Sequence, residues 1–235
     1  MSLTFSKNLT KKISVTLTGE KEYPSDAPLF AINWFDTRLA PLYHLYNKLA
    51  ATRVFRIGGK VFFKAKVGKK IIGDPELSRR FILIVNYPSA QAFLNLLGDP
   101  IFQIVSLLRT SAVKHFSFCL NQRLDGTQLL STRFQKKAPS KKYAILNFKG
   151  TPTEKLLPML SEHAITLHFS SRKALELSIE TKNKGIEKTP AITDHVILLE
   201  SDDEGAFERV FSDPKFTELS QQWERIFSAH LHRLV

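Results

Sequence analysis

Cysteine is almost absent from this chain. Of 235 residues only Cys119 carries a thiol, so no internal disulfide can form and thiolate zinc clusters are excluded. Long apolar runs are missing too. No stretch of about 18 apolar residues occurs, so neither a membrane span nor a membrane partner is expected. The leading Met1-Ser-Leu-Thr-Phe-Ser-Lys7 lacks the apolar core of a signal peptide. With the single thiol, this points to a reducing, cytoplasmic setting. No Walker loop, dinucleotide fingerprint, nucleophile elbow or His-Glu-x-x-His is found. Gly58-Gly59 and Gly68 read as isolated turn glycines. Carboxylates are sparse in the first half, which argues against a carboxylate-pair hydrolase there.

What is present is ordinary for a folded protein. Apolar residues make up 43% and charged residues 24%, enough for one or two domains with a real core. The net charge of +12 is uneven: residues 26–125 carry +8, residues 126–142 carry +5 and residues 143–235 carry −3. Such a basic surface attracts anionic ligands, or is simply a solvated face.

An internal repeat organises the sequence. At an offset of 114, Ala92-Phe93 falls on Ala206-Phe207, Asp99-Pro100 on Asp213-Pro214, Phe102 on Phe216 and Ser106 on Ser220. Upstream, Asn33 falls on Asn147, and Ile13–Thr18 on Thr127–Thr132. The chain reads as two diverged copies, residues 1–125 and 126–235.

Each copy has the same order. An apolar strand comes first (Leu29–Phe35; Tyr143–Phe148). A helix follows, marked in copy one by Leu39, Leu42, Leu45, Tyr46 and Leu49 at helical spacing, and in copy two by a capping box, Thr151-Pro-Thr-Glu154. The spacing predicts that the leucines face the core. An alternating strand is next (Val61–Lys66; Leu175–Glu180), with turns predicted over Val67–Asp74 and Thr181–Thr189. A third strand (Phe81–Asn86; His195–Glu200) leads to a helix capped by Ser89 or Asp203. That helix breaks and restarts at Asp-Pro, capped by Asp99 or Asp213. A last strand lies around His115–Asn121 or Ala229–Leu234. This is α+β: two ferredoxin-like βαββαβ units in tandem, each with an optional extra N-terminal strand.

The pattern of Gly58-Gly59, Tyr87-Pro-Ser89, Ala92-Phe93 and Asp99-Pro-Ile-Phe102 resembles the dimeric α/β-barrel superfamily, closest to its small domains of unknown function. The resemblance is weaker in copy two, where Ser170-Ser171 stands near the Gly-Gly position. It implies antiparallel sheets packed face to face as an intramolecular barrel, repeat 1 against repeat 2, with further oligomerisation open. The haem-degrading branch of that superfamily would place a Trp at Leu96 or Val210 and a His at Ser106 or Ser220. These positions lack an imidazole, so no proximal iron ligand of that kind is available. No cofactor and no metal are expected.

Candidate ligand-binding residues cluster in copy one: Asn33, Trp34, Tyr43, His44, Tyr46 and Arg109. Asn33 is either a satisfied core amide or a pocket group. His44 offers a base near neutral pH or sits at the surface. Arg109 offers a planar fork for an anion, or a surface ion pair. His230 and His232 share a strand face, with no carboxylate near in sequence. Cys119 reads as a buried apolar residue.

The expected function is therefore a small-molecule-binding protein, or a cofactor-independent oxygenase or isomerase-like enzyme. One alternative is an RNA-binding tandem, which needs exposed sheet aromatics such as Phe62 or Phe63; the strands lack the usual RNA-recognition pattern, so nucleic acid is disfavoured as a partner. The other is a non-catalytic interaction protein using the basic linker Lys136–Lys142.

Overall fold

The computed structural model describes residues 3–10, 13–19, 23–74, 77–124, 141–150, 154–181, 185–188 and 193–234. The chain divides into two units. Unit 1 comprises Met1–Phe63, Arg79–Gln122 and Lys173–Ala191; unit 2 comprises Lys64–Ser78, Arg123–Arg172 and Ile192–Val235.

The first stretch gives strands β1 (Leu3–Thr10), β2 (Ile13–Gly19) and β3 (Leu29–Thr37), helix α1 (Ala40–Arg56) and strand β4 (Lys60–Gly73). Strand β5 (Phe81–Tyr87), helices α2 (Ala90–Leu97) and α3 (Pro100–Ala112), and strand β6 (Val113–Arg123) follow. The second stretch gives β7 (Lys142–Lys149), α4 (Leu156–Glu162), β8 (Thr166–Thr181), β9 (Gly185–Lys188) and β10 (His195–Ser201). It closes with α5 (Gly205–Ser212), α6 (Pro214–Ser220) and β11 (Arg225–Arg233).

All pairings given by register are antiparallel. In unit 1 the order is β4-β5-β3-β6, and the β1–β2 hairpin is continued by the later half of β8. In unit 2 it is β8-β10-β7-β11, with the later half of β4 beside β11. Counting strands within each four, both orders place the fourth beside the first, then the third, then the second.

The core of each unit lies between its sheet and its helices. In unit 1, Leu29, Ala31, Val85, Tyr87 and Leu120 pack against Phe93, Leu94 and Phe102. In unit 2, Ala144, Leu146, Phe148, Ile197 and Leu199 pack against Leu160, Phe207, Val210 and Phe216. Successive strand residues alternate between faces. Yet Ile32, Trp34 and Ile84 in unit 1, and Ile145, Val196 and Leu198 in unit 2, are also buried. Strands buried on both faces read as continuous apolar runs, as β3, β7 and β10 do.

Three helix starts match their sequence signals. Ser89 Oγ accepts the Ala92 amide at 3.0 Å. Asp99 Oδ1 accepts the Ile101 amide at 2.8 Å and Asp213 Oδ1 accepts that of Lys215 at 2.8 Å, so both Asp-Pro pairs restart a helix. At α5 the N-cap is Glu204 rather than the expected Asp203, and it makes no side-chain bond; Asp203, one residue earlier, accepts the Gly205 amide on Oδ1 at 2.9 Å. Gly58, at φ +80, ends α1 in the left-handed region that glycine favours.

Several expectations need correction. The predicted turn Val67–Asp74 is strand: β4 continues to Gly73, with Phe63, Ala65 and Val67 buried on alternate positions. Gly68 is therefore a strand residue, and an added Cβ there would lie 2.7 Å from His232 Nε2. Strand β8 begins at Thr166, nine residues before Leu175, and Ser170-Ser171 is buried strand. Thr181 is its last residue, and β9 folds back on it. The apolar stripe of α1 is core only in part: Leu42 and Tyr46 pack against the core. Tyr43, Ala50 and Val54 are buried, while Leu39, Leu45 and Leu49 are exposed. Helix α4 starts at Leu156, and its N-cap Lys155 has no side-chain bond; Thr151–Thr153 lie outside the described residues. So do Thr127–Thr132 and most of the basic linker, residues 136–140. Strand β11 starts at Arg225, four residues before the expected Ala229. Helix α6 has seven residues where α3 has thirteen, so the return strand arrives earlier.

The expected offset of 114 also fails by one residue across the ladder. Asn33 lies opposite Leu83, and the offset of 114 carries Leu83 to Ile197. Asn147, however, lies opposite Val196. A one-residue slip turns a side chain to the other face. Asn33 faces the helices with Ala31 and Phe35. Asn147 faces away from them.

Candidate functional site

The copy-one residues are partly assembled. Tyr43 is buried against Phe35, with ring centroids 5.0 Å apart, and Tyr46 lies 6.1 Å from Tyr43. Arg109, on α3, lies over the Phe116 ring at 4.7 Å, and its positive charge acts on the Tyr46 phenol. Burial pushes the Tyr46 phenol up, outweighing the opposing pull of Arg109. Burial raises the Tyr43 and Tyr87 phenols as well. All three phenols are thus neutral hydrogen-bonding groups at neutral pH. Asn33 spends its Nδ2 on strand carbonyls, Ala31 O at 3.2 Å and Leu83 O at 3.1 Å. Trp34 is buried on the opposite sheet face, and His44 is exposed on α1.

A second constellation lies in unit 2, and sequence reasoning missed it. The ladder puts Tyr143 of β7 directly opposite Glu200 of β10. Strand β8 carries an irregularity here: Phe169 pairs Leu198 and Leu167 pairs Leu199, leaving His168 as the extra residue. Bulges of this kind re-aim side chains. His168 Nδ1 meets Glu200 Oε2 at 3.1 Å, and its ring meets Tyr143 edge-on at 5.5 Å. Arg233 of β11 donates to the Tyr143 hydroxyl at 3.0 Å. Lys141 approaches Glu200 at 3.6 Å and Asp202 at 2.9 Å. Arg123, at the end of β6, adds a further positive charge near His168.

The electrostatics favour a neutral imidazole. Burial holds the His168 pKa below its ordinary value, although Glu200 opposes this. Burial raises the Tyr143 phenol, again against the pull of Arg233. The Glu200 carboxylate beside Nδ1 favours the tautomer that carries its proton there, which puts the imidazole lone pair on Nε2. The group thus holds a base oriented by a carboxylate, a neutral phenol and two guanidinium charges. That combination suits a small anion with an acidic proton.

On the same sheet face lies Asn147, 1% exposed. Among the described residues neither its Oδ1 nor its Nδ2 has a hydrogen-bond partner. Its ladder neighbours are Val196 and Phe227.

Three other histidines are held by local partners. His230 Nε2 meets Glu208 Oε1 at 2.7 Å and Nδ1 meets Glu204 Oε1 at 3.6 Å, so α5 and the residue before it supply carboxylates that sequence distance had hidden. His163 Nε2 meets Asp213 Oδ2 at 3.2 Å. His195 is buried and stacked on Phe148 at 4.9 Å. Among the described residues no three His, Cys, Asp or Glu side chains are grouped to hold a metal ion. Cys119 is buried. Phe63 is fully buried, and Phe62 is half-buried edge-on to Phe30 at 5.6 Å. These rings offer no open stacking platform, so the RNA reading is not favoured.

No single helix among the described residues is long and apolar enough to cross a membrane; α2 and α3 pass by length and composition only as a pair bent by 79°.

No family model matches the chain, and no curated protein matches it. Solved structures do. A protein of unknown function from Rhodopseudomonas palustris is 23% identical over 40% of this chain and 81% of its own, with a TM-score of 0.39. A monooxygenase-like protein from Fusobacterium nucleatum is 9% identical over 90% of this chain and 94% of its own, with a TM-score of 0.47. A chlorite dismutase from Candidatus Nitrospira defluvii is 9% identical over 89% of this chain and 92% of its own, with a TM-score of 0.43. The monooxygenase-like and chlorite dismutase neighbours are dimeric α/β-barrel, ferredoxin-like proteins.

Proposed function

We propose that the chain is a tandem ferredoxin-like protein that binds a small organic anion in a reducing, cytoplasmic setting and moves a proton on it without a cofactor. The observation that carries this reading is the pairing of His168 with Glu200 at 3.1 Å beside Tyr143 and Arg233 at 3.0 Å. Arg233 and Arg123 hold the anion. His168 Nε2 takes a proton from the ligand, and Glu200 balances the imidazolium charge. Tyr143 donates a hydrogen bond to the oxygen that becomes negative. The proton then returns from Nε2 to another atom of the ligand, which makes the step an isomerisation. Tyr46 and Arg109 in unit 1 are proposed as a separate anion contact, supported by the pull of the Arg109 charge on the Tyr46 phenol.

The test is a nitrogen-resolved NMR titration of the His168 imidazole with benzoate and pyruvate. The reading predicts a saturable shift that Arg233→Met weakens about tenfold or more, as loss of a charge-assisted contact does. It also predicts that the pyruvate methyl protons exchange with deuterated solvent faster in wild-type protein than in Glu200→Gln. If His168 responds to neither anion, the proposal fails.

A further inference from the structure

Helices α1 and α3 pack together in unit 1, and each is apolar on two sides. Their inner sides bury Tyr43, Ala50, Val54, Phe102 and Val105. Their outer sides expose Leu45 (47%), Phe55 (53%), Ile101 (48%), Ile104 (66%) and Leu107 (67%). Ile101, Ile104 and Leu107 recur every three residues, which lines them along one helix flank. The core accounts for one apolar side of each helix, and the second lies at the surface.

Unit 2 supplies an internal control. Among its described helical residues, Leu157 alone is a large exposed apolar side chain. Both of its helix cations are paired with carboxylates, Lys215 with Glu162 at 3.1 Å and Arg209 with Asp203 at 2.6 Å. Helix α1 is ten residues longer than α4, and α3 is six longer than α6. Phe55, near the end of α1, and Leu107, past the midpoint of α3, lie on these longer helices.

The charges of the unit 1 face have one sign. Residues 40–56 and 100–112 contain Lys48, Arg53, Arg56 and Arg109 and no carboxylate. Asp99, at the start of α3, is paired to Arg53 at 3.6 Å. Arg38, His44, Lys48 and Arg56 are exposed around the apolar side chains. An apolar strip edged only by cations matches an anionic lipid surface: acyl chains take the leucines and isoleucines, and headgroup phosphates take the lysine and arginines. A second copy of the same face would bring like charges together.

We propose that the α1–α3 face docks this protein peripherally onto anionic bilayers. The absence of a membrane-spanning helix does not bear on this, because docking needs only the face. The proposal is independent of the unit 2 site.

The experiment is sedimentation of the full chain with vesicles of pure phosphatidylcholine and with vesicles containing 30 mol% phosphatidylglycerol. Binding to the anionic vesicles is expected to be stronger by about tenfold or more, and to fall as salt rises. The double variant Ile104→Ser, Leu107→Ser should weaken it about tenfold or more. So should Lys48→Glu with Arg56→Glu. These side chains are exposed, so melting curves should match wild type. Equal binding to both vesicle types, or no binding, overturns the proposal. So does a stable dimer by light scattering that the serine variant dissolves, because the face would then belong to a second copy.

Discussion

Replacing Asn147 by leucine should stabilise the protein, while the same change at Asn33 should not. The sequence repeat treats the two as equivalent, and the ladder does not. Asn147 is 1% exposed and has no hydrogen-bond partner for either polar atom among the described residues. Burying an unpaired amide costs about 1–3 kcal/mol on mutational scales. Leucine has nearly the same shape, removes that penalty and adds apolar contact with Val196 and Phe227. The expected gain is about 1–3 kcal/mol, or roughly 2–10 °C in melting temperature for a chain of this size. Asn33 instead donates to Ala31 O and Leu83 O, so Asn33→Leu should cost about 1 kcal/mol. Scanning calorimetry of both variants reads the difference directly. A folded Asn147→Leu that melts several degrees below wild type would refute the reasoning. It would mean that the amide is satisfied by a bound water or ligand.

Acid should weaken the fold through His195. Burial lowers its pKa to about 4, against 6.5 for the free group. Between those values the unfolded chain takes up a proton that the folded chain refuses. Stability on this account is complete above about pH 6.5 and is lost as pH falls toward 4. From pH 7 to 4.5 wild type should lose roughly 2–3 kcal/mol more than His195→Phe, which keeps the stacking on Phe148; urea melts at both pH values check this, and parallel losses would contradict it. Gly73→Ala should cost more than about 2 kcal/mol. Gly73 sits at φ +92, and an added Cβ would lie 2.0 Å from the Ile226 carbonyl oxygen. A Gly73→Ala protein with unchanged denaturation midpoint would rule this out. Removing the Asp99 cap with alanine should cost about 1 kcal/mol, read from the same midpoints.

Local signals carried far in this sequence. Ser89, Asp99 and Asp213 mark helix starts because a short acceptor side chain satisfies the first amides, and that geometry depends on neighbours only. Strands β3, β5 and β10 were visible as apolar runs. What failed was non-local. Val67–Asp74, with Gly68 and two lysines, reads as a turn, yet β11 pairs with it from far along the chain. The leucines of α1 have core spacing, but the sheet takes the side that carries Tyr43 and Val54. The unit 2 site was illegible for the same reason. Tyr143, His168, Glu200 and Arg233 come from four strands, and a bulge turns His168 inward. The one hint was a carboxylate, Glu200, ending an otherwise apolar strand.

The central claim is that unit 2 holds a small organic anion between Arg233 and the His168–Glu200 pair. Native mass spectrometry of the protein purified from its own host cells, compared before and after denaturation, tests it directly. The account predicts a small anion released in stoichiometric amount from wild type and absent from Arg233→Met. Release of nothing from wild type, or of the same molecule in equal amount from both, would contradict it.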